Sequence, residues 1–299
     1  MLAMMFPGQG SQKKGMGAEL FDSVPEFLSV ESEIDDILGF SVRKTCLENP
    51  NNVLKQTEFT QPCLFIVNAL HYYALKSQDI KPDVLIGHSL GEFNALLAAG
   101  AFDFLTGVKL VKKRGELMSK AKSGGMAAVV GLTKPAIQNV IHSNTATGID
   151  IANFNSHHQI VISGDKDQIE QLADQMKLEG AKAYIPLPVS AAFHSRFMGD
   201  AAQNYLKFLA DFTFKKLAIP VVSNVTAHPY PYGDPSITIK AYLYRQITQS
   251  VKWYQSIEYL YSIGVTDLKE VGPGVVLTKL KEGIPRSVEE STELLETAI

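Results

Sequence analysis

Asp83-Val-Leu-Ile-Gly-His-Ser-Leu-Gly-Glu-Phe-Asn-Ala-Leu-Leu-Ala-Ala-Gly100 divides into three pieces. Residues 84–86 are an apolar strand, Gly87-His-Ser-Leu-Gly91 is a tight turn, and a helix runs on to residue 99. A Gly-x-Ser-x-Gly turn between a strand and a helix is the setting of a nucleophile elbow. Glycines let strand and helix pack closely around the turn and push the Ser89 hydroxyl into the open. Ser89 then sits at a helix N-terminus, where free N–H groups and the helix dipole favour negative charge. The Leu90 N–H is ready to serve as half of an oxyanion hole. The bland alternative is an ordinary strand-to-helix turn.

Around this stretch lie 299 residues, of which 45% are hydrophobic and 20% charged, as in a soluble globular protein. That length suits one large domain carrying an insertion. A net charge of −3 gives no electrostatic case for nucleic acid or an anionic membrane. No apolar run is long enough to span a bilayer. The apolar start, Met1 to Phe6, is too short and uncharged for a signal peptide and predicts a first strand. Cys46 and Cys63 form neither a disulfide framework nor a metal-ligand spacing, so a reduced, cytoplasmic setting is expected.

The loop Pro7-Gly-Gln-Gly-Ser-Gln-Lys-Lys-Gly-Met-Gly17 follows the first strand. It fails the dinucleotide pattern at Lys13, and it lacks the Lys-Ser/Thr of a P-loop after Gly15. It is either a surface loop or a place where glycines bring backbone close to something. Residues 21–38 have helical amphipathic spacing, 53–60 look irregular, and 61–75 read as a core helix with Pro62 in its first turn. On a helix over 105–121, Leu110, Val111, Leu117, Met118 and Ala121 make an apolar stripe, and Arg114 falls in its middle. A buried arginine needs a partner. Two readings stand: an internal ion pair with a carboxylate such as Glu92, or a grip on a substrate carboxylate.

Ser123-Gly-Gly125 marks a boundary, after which strand, helix, strand, strand, helix and strand follow within about 65 residues. The fold class is therefore α/β, an α/β-hydrolase-like large subdomain with an inserted ferredoxin-like small subdomain. The expected division is 1–124 with 190–283, then 125–189, with 284–299 as a mobile tail or linker. After the insertion, helices are expected over 196–210, 239–248 and 251–263. Strands are expected over 220–223 and 266–271, and a last helix ends near 281.

A nucleophilic serine needs a base. His88 neighbours Ser89, but consecutive side chains point apart, so it is assigned to supporting the turn. His71 lies on the core helix, His142 on a polar one, and His157 and His158 in a loop of the insertion without metal-ligand company. His194 and His228 remain, and spacing does not decide between them. No Asp or Glu stands out as a third member of a triad.

Phe6-Pro-Gly-Gln-Gly-Ser-Gln12, Gly87-His-Ser-Leu-Gly-Glu92, Lys113-Arg-Gly-Glu-Leu-Met118, Asn153-Phe-Asn-Ser156, Ala192-Phe-His-Ser195, Arg245-Gln246 and Glu270-Val-Gly-Pro-Gly274 appear in that order. Over residues 1–283 the chain thereby resembles the malonyl-CoA:acyl carrier protein transacylase family. The resemblance implies Ser89 as the acylated nucleophile and His194 as its base. It implies Gln9 and Leu90 at the oxyanion hole, Arg114 on the malonyl carboxylate, and a main-chain carbonyl near Gln246 orienting the histidine. It also implies malonyl-CoA and an acyl carrier protein as partners, no metal and no cofactor beyond the carrier's phosphopantetheine.

Gln56-Thr-Glu-Phe-Thr-Gln-Pro62, Glu92-Phe-Asn-Ala-Leu96 and Gly100-Ala-Phe-Asp-Phe104 are similar to free-standing acyltransferases that serve modular polyketide synthases in trans. Leu90 and Ala192-Phe-His194 resemble malonyl-selective members, with Phe193 in the acyl pocket. These features favour a polyketide acyltransferase over the fatty-acid housekeeping enzyme. Rival functions are a thioester hydrolase on the same fold, which has little use for Arg114, and a docking module without catalysis. An acidic carrier calls for basic surface near the cleft, and Lys13, Lys14, Lys112 and Lys113 are candidates. Nothing demands more than one copy of the chain, so a monomer is expected.

Overall fold

A computed structural model of the protein describes residues 1–121 and 124–286. The chain opens with β1 (Leu2–Phe6), then α1 (Pro25–Leu28), α2 (Glu31–Leu38), α3 (Val42–Glu48) and α4 (Thr57–Ser77). The elbow strand β2 (Val84–Gly87) leads to α5 (Gly91–Ala98) and α6 (Phe104–Ser119). The insertion comprises β3 (Gly124–Val130), α7 (Lys134–Ser143), β4 (Ile149–Ser156), β5 (Gln159–Asp165), α8 (Lys166–Leu178) and β6 (Ala183–Pro186). The chain closes with α9 (Gly199–Leu209), β7 (Val221–Val222), α10 (Pro235–Thr248), α11 (Trp253–Ser262), β8 (Asp267–Glu270) and α12 (Val276–Glu282).

Two sheets result. The first is parallel, in the order β7-β2-β1-β8, with Met5 beside Ile86 and Phe6 beside Gly87. Its central strands are apolar on both faces, as a sheet covered on both sides requires. Met4 and Phe6 of β1 pack into the larger core with α4 and α6, while Ala3 and Met5 face α11 and the buried Trp253. That split follows from the two-residue alternation of side chains along a strand. The second sheet is antiparallel, in the order β4-β5-β3-β6, with its own core of Val129, Ile160, Ile162, Ile169 and Leu172. Strand, helix, strand, strand, helix, strand with this order is the ferredoxin-like arrangement that the sequence predicts.

Several local expectations give way. The helix expected over 21–38 is broken, because Pro25 starts α1 and Val30 leaves helical geometry before α2. The segment taken as irregular, 53–60, starts inside a short 3-10 turn, Pro50–Lys55, whose Asn51 and Asn52 are left-handed, and ends in the first turn of α4. Pro62 therefore lies inside α4 and not in its first turn. Gln56 caps that helix without a side-chain hydrogen bond, so no capping residue announces the start. α10 begins at Pro235, where the Asp234 carboxylate accepts from the Ser236 N–H, four residues before the expected start. Ile284, assigned to the tail, is buried against the α11 side of the parallel sheet. Ser123 and residues 287–299 of the expected boundary and tail lie outside the described residues.

Candidate active site

The site forms where the C-terminal ends of β1 and β2 meet the insertion, in a cleft of about 240 Å³. The elbow is sterically enforced. A Cβ on Gly91 would stand 1.9 Å from the Phe6 carbonyl oxygen, so only glycine lets α5 begin against β1. Ser89 itself sits at φ +51°, a left-handed conformation that costs a non-glycine residue about 1–2 kcal/mol. Asn224, at the end of β7, clamps the turn from both sides. Its Oδ1 accepts from the Ser89 N–H at 2.7 Å, and its Nδ2 donates to the Gly87 carbonyl at 2.6 Å.

His194 lies on the segment that returns from the insertion, also left-handed at φ +57°. The Ser195 hydroxyl donates to the Ala192 carbonyl at 2.6 Å and holds this turn closed. His194 Nε2 is 2.8 Å from Ser89 Oγ, and Nδ1 is 2.8 Å from the Gln246 main-chain oxygen. A carbonyl can only accept, so Nδ1 carries the proton and Nε2 is free to take one from Ser89. Burial first, then the Arg114 charge, draws His194 down to about 3, so the ring is neutral at physiological pH.

Arg114 is 1% exposed, buried in the middle of the α6 apolar stripe. Nη1 donates to Gln61 Oε1 at 2.8 Å, while Nη2 donates to Gln246 Oε1 at 3.0 Å and to Ser89 Oγ at 3.2 Å. Its Nε has no acceptor among the described residues. The guanidinium carbon lies 5.5 Å from the centre of the Phe93 ring. The ion pair with Glu92 considered from sequence does not form. The Glu92 carboxylate is taken by Tyr230, Gln246 and the Asn224 N–H. Burial lowers Arg114 to about 10.

Gln9 and Leu90 line the same cleft. Gly8 presses against the elbow so closely that a Cβ there would stand 2.3 Å from the His88 carbonyl oxygen, which brings the Gln9 backbone beside Ser89. Gln9 Nε2 donates to Thr57 Oγ1 at 3.4 Å. The main-chain N–H groups of Gln9 and Leu90 have no acceptor among the described residues. Phe193, buried, forms part of the wall. His228 is exposed, with Nδ1 on the Thr226 carbonyl, far in its contacts from Ser89. His88 does more than support the turn: its Nε2 meets Asn155 Oδ1 of β4 at 2.9 Å, and it lines the cleft next to Ser89. Among the described residues no group of three or more His, Cys, Asp or Glu could hold a metal ion.

Sequence reasoning missed Gln61, Asn155 and Asn224. A signal existed for Gln61, a polar residue on a helix that is apolar nearly all round, as telling as an arginine on an apolar stripe. Asn224 ends a parallel strand on the side where ligands gather in open α/β sheets, but its two-residue strand left little to read.

The acyl transferase domain family matches residues 4–287. The polyketide biosynthesis malonyl CoA-acyl carrier protein transacylase BaeC of Bacillus velezensis is 50% identical over 97% of this chain and 99% of its own length. The malonyl CoA-acyl carrier protein transacylase of Escherichia coli is 38% identical over 94% of this chain and 92% of its own. Among solved structures, a type II PKS acyl-carrier protein in complex with its malonyl-transacylase aligns at a TM-score of 0.88 and 33% identity, covering 99% of both chains. With the domain match running almost end to end and a relative half identical over its full length, this chain belongs to the malonyl-CoA:acyl carrier protein transacylase family.

Proposed function

We propose that the protein moves a malonyl group from malonyl-CoA, through an acyl-enzyme on Ser89, to the phosphopantetheine thiol of an acyl carrier protein. The observation that carries this reading is a buried arginine fork held only by neutral acceptors, 3.2 Å from a serine hydroxyl that is itself 2.8 Å from an unprotonated imidazole nitrogen. Ser89 Oγ bonds to the thioester carbon as its proton passes to His194 Nε2. The Gln9 and Leu90 N–H groups receive the negative charge that develops on the carbonyl oxygen. The carbon–sulfur bond then breaks, and His194 returns the proton to the CoA sulfur. The carrier thiol runs the same steps in reverse order. Every proton and charge has a group in the chain to receive it, so the cycle calls for no metal or redox cofactor.

Selection and catalysis are linked. Arg114 helps to hold His194 at low basicity. A malonyl carboxylate on the guanidinium cancels that charge and makes His194 a stronger base, which an acetyl group does not do. The hydrolase alternative leaves Arg114 without a role.

The polyketide relative exceeds the Escherichia coli transacylase in identity, 50% against 38%, which supports service to a polyketide synthase in trans. Free, buried Cys46 and Cys63 fit a reducing, cytoplasmic setting. All the groups that the cycle uses lie in one copy of the chain, which is compatible with work as a monomer. Of the basic candidates for carrier docking, Lys13 and Lys14 are exposed, whereas Lys112 and Lys113 are engaged by Glu116.

The test is to incubate the protein with malonyl-CoA, read its intact mass, then add a phosphopantetheinylated carrier protein. A malonyl adduct on Ser89 that passes to the carrier is expected. Rapid loss to free malonate would make the protein a hydrolase, and no adduct would remove catalysis altogether.

A further inference from the structure

Glu92 is completely buried, sits in the first turn of α5 and takes no part in the steps above. Tyr230 OH donates to its Oε1 at 2.6 Å; Gln246 Nε2 donates to its Oε2 at 2.6 Å, and the Asn224 N–H to the same oxygen at 3.3 Å. Burial raises the Glu92 carboxyl above its usual range, and the bonds from Tyr230, Gln246 and the Asn224 N–H together with the Arg114 charge act against that rise. Gln246 Nε2 and the Asn224 N–H can only donate, which is the company an ionised carboxylate keeps. Gln246 joins it to Arg114. The amide nitrogen of Gln246 faces Glu92, and its amide oxygen accepts from Arg114 Nη2. Arginine only donates and an ionised carboxylate only accepts, so the two ends fix the amide in one orientation.

The arrangement separates two properties that an ordinary ion pair joins. A carboxylate placed directly on Arg114 would balance its charge and also fill the fork. Glu92 balances the charge from one side chain further away and leaves the fork to neutral acceptors that an incoming carboxylate can displace. Its negative charge also opposes that incoming carboxylate.

We propose that Glu92 is a relayed counter-charge to Arg114, a positioning residue acting through Gln246 that limits the grip on the malonyl carboxylate so that the acyl group can leave. The inference rests on Arg114 being the carboxylate receptor. An opposing charge set within several ångströms in a dry site changes binding by an order of magnitude in the usual protein range. Too tight a grip lowers KM and slows departure, because binding energy shared by the ground state does not speed the chemical step.

Glu92→Gln keeps the shape, with its amide oxygen toward Gln246 and its amide nitrogen toward the Tyr230 hydroxyl, and removes only the charge. The expected result is a KM for malonyl-CoA lower by about tenfold and a malonyl adduct that persists about tenfold longer against carrier protein. Acetyl-CoA values should move less than about twofold, since acetyl brings no charge to oppose. A part that only stabilises the fold predicts equal losses with both donors; that result, or unchanged values with both, overturns the proposal. If Glu92→Gln does not fold, Glu92→Asp keeps the charge and withdraws it by one methylene, and should shift the same quantities in the same direction by about two- to threefold. Identical malonyl kinetics in Glu92→Asp would then overturn it. Arg114→Ala is measured alongside. If it leaves the malonyl-to-acetyl ratio untouched, the carboxylate reading fails and this inference with it. If the ratio collapses there while Glu92→Gln changes nothing, only the counter-charge fails.

Discussion

Two arginines in this molecule lie against phenylalanine rings, and their surroundings are opposite. Arg43, on α3, is 5.4 Å from the Phe21 ring, and Arg114 is 5.5 Å from the Phe93 ring. The Arg43 side chain keeps 26% of its surface in solvent, and its fork is filled by carboxylates. Nε and Nη2 bind the two oxygens of Glu31 at 2.7 and 2.8 Å, and Nη1 binds Asp22. Those bonds, Glu31 first, push its pKa up. Arg114 has almost no solvent, only neutral acceptors and one N–H with none, and burial draws it down to about 10. An arginine closed by carboxylates ties a corner of the fold together. One closed by amides has capacity left for an anion that comes and goes.

The largest effects should come from the groups that react beside Arg114. Ser89→Ala is expected to reduce malonyl loading by roughly 10⁴-fold or more, with His194→Ala close behind, as residues of one catalytic unit do. Single-turnover loading followed by intact mass reads this. His228→Ala should keep most activity, and a greater loss there than in His194→Ala would displace the assignment of the base.

Next in size is the contrast itself. Arg114→Ala should lower malonyl-to-acetyl selectivity in kcat/KM by roughly 10- to 150-fold, the equivalent of about 1.5–3 kcal/mol for a charge-assisted pair. Some loss of melting temperature should accompany it, because the change leaves Glu92 buried without its counter-charge, so the donor preference is the deciding readout. Arg114→Lys should recover part of the preference, having the charge but not the planar fork. A lowered melting temperature with equal losses toward both donors would make Arg114 another Arg43.

Acidity gives a smaller but directional effect. The folded protein keeps His194 unprotonated down to about 3, while the unfolded chain protonates it near the usual 6.5. Between those values the unfolded state binds more protons. The stability this residue contributes is therefore complete above 6.5 and is lost as the pH falls through the window. Loading should also keep its rate well below pH 6.5. Arg114→Ala removes the second cause of the depression and should move the acid limb of acetyl loading upward, though only partly, since burial remains the larger cause. An unmoved limb would uncouple the two residues.

The smallest effect belongs to Arg43→Ala, about 1 kcal/mol of stability for a partly exposed pair, or roughly 1–2 °C in a chain of this size. Donor selectivity should stay unchanged, and the stability difference should shrink in high salt.

The elbow and the insertion were legible because their patterns are local. A glycine two residues either side of Ser89, and six elements in a fixed order, need no knowledge of distant contacts. The stripe on α6 exposed Arg114 as an anomaly for the same reason. What faces Arg114 was not legible, because Gln61, Ser89 and Gln246 lie 53, 25 and 132 positions away in the chain. The choice between His194 and His228 likewise turned on which loop returns to the elbow, and residue spacing carries no such information. Its place where the insertion rejoins the large subdomain favoured His194, and the resemblance to known transacylases implied it. The missed start of α4 and the break at Val30 have the plainer cause that neither end carries a capping side chain.

Two main-chain hydrogen bonds tie the small sheet to the large subdomain. The Val251 N–H donates to the Ala152 carbonyl at 2.8 Å, and the Phe154 N–H donates to the Val251 carbonyl at 2.9 Å. The outer strand of the small sheet is thus stitched by main chain to the segment that precedes α11. Together with the chain crossings at 124 and 190, where the Gly124 N–H donates to the Ser190 carbonyl at 3.3 Å, this stitch fastens the small subdomain to the large one at two separate places. The stitch should be readable by hydrogen exchange, with the Val251 and Phe154 amides among the slow ones. Room for a bulkier acyl group would then come from trimming a side chain of the cleft wall, such as Leu187 or Val189, and not from parting the subdomains.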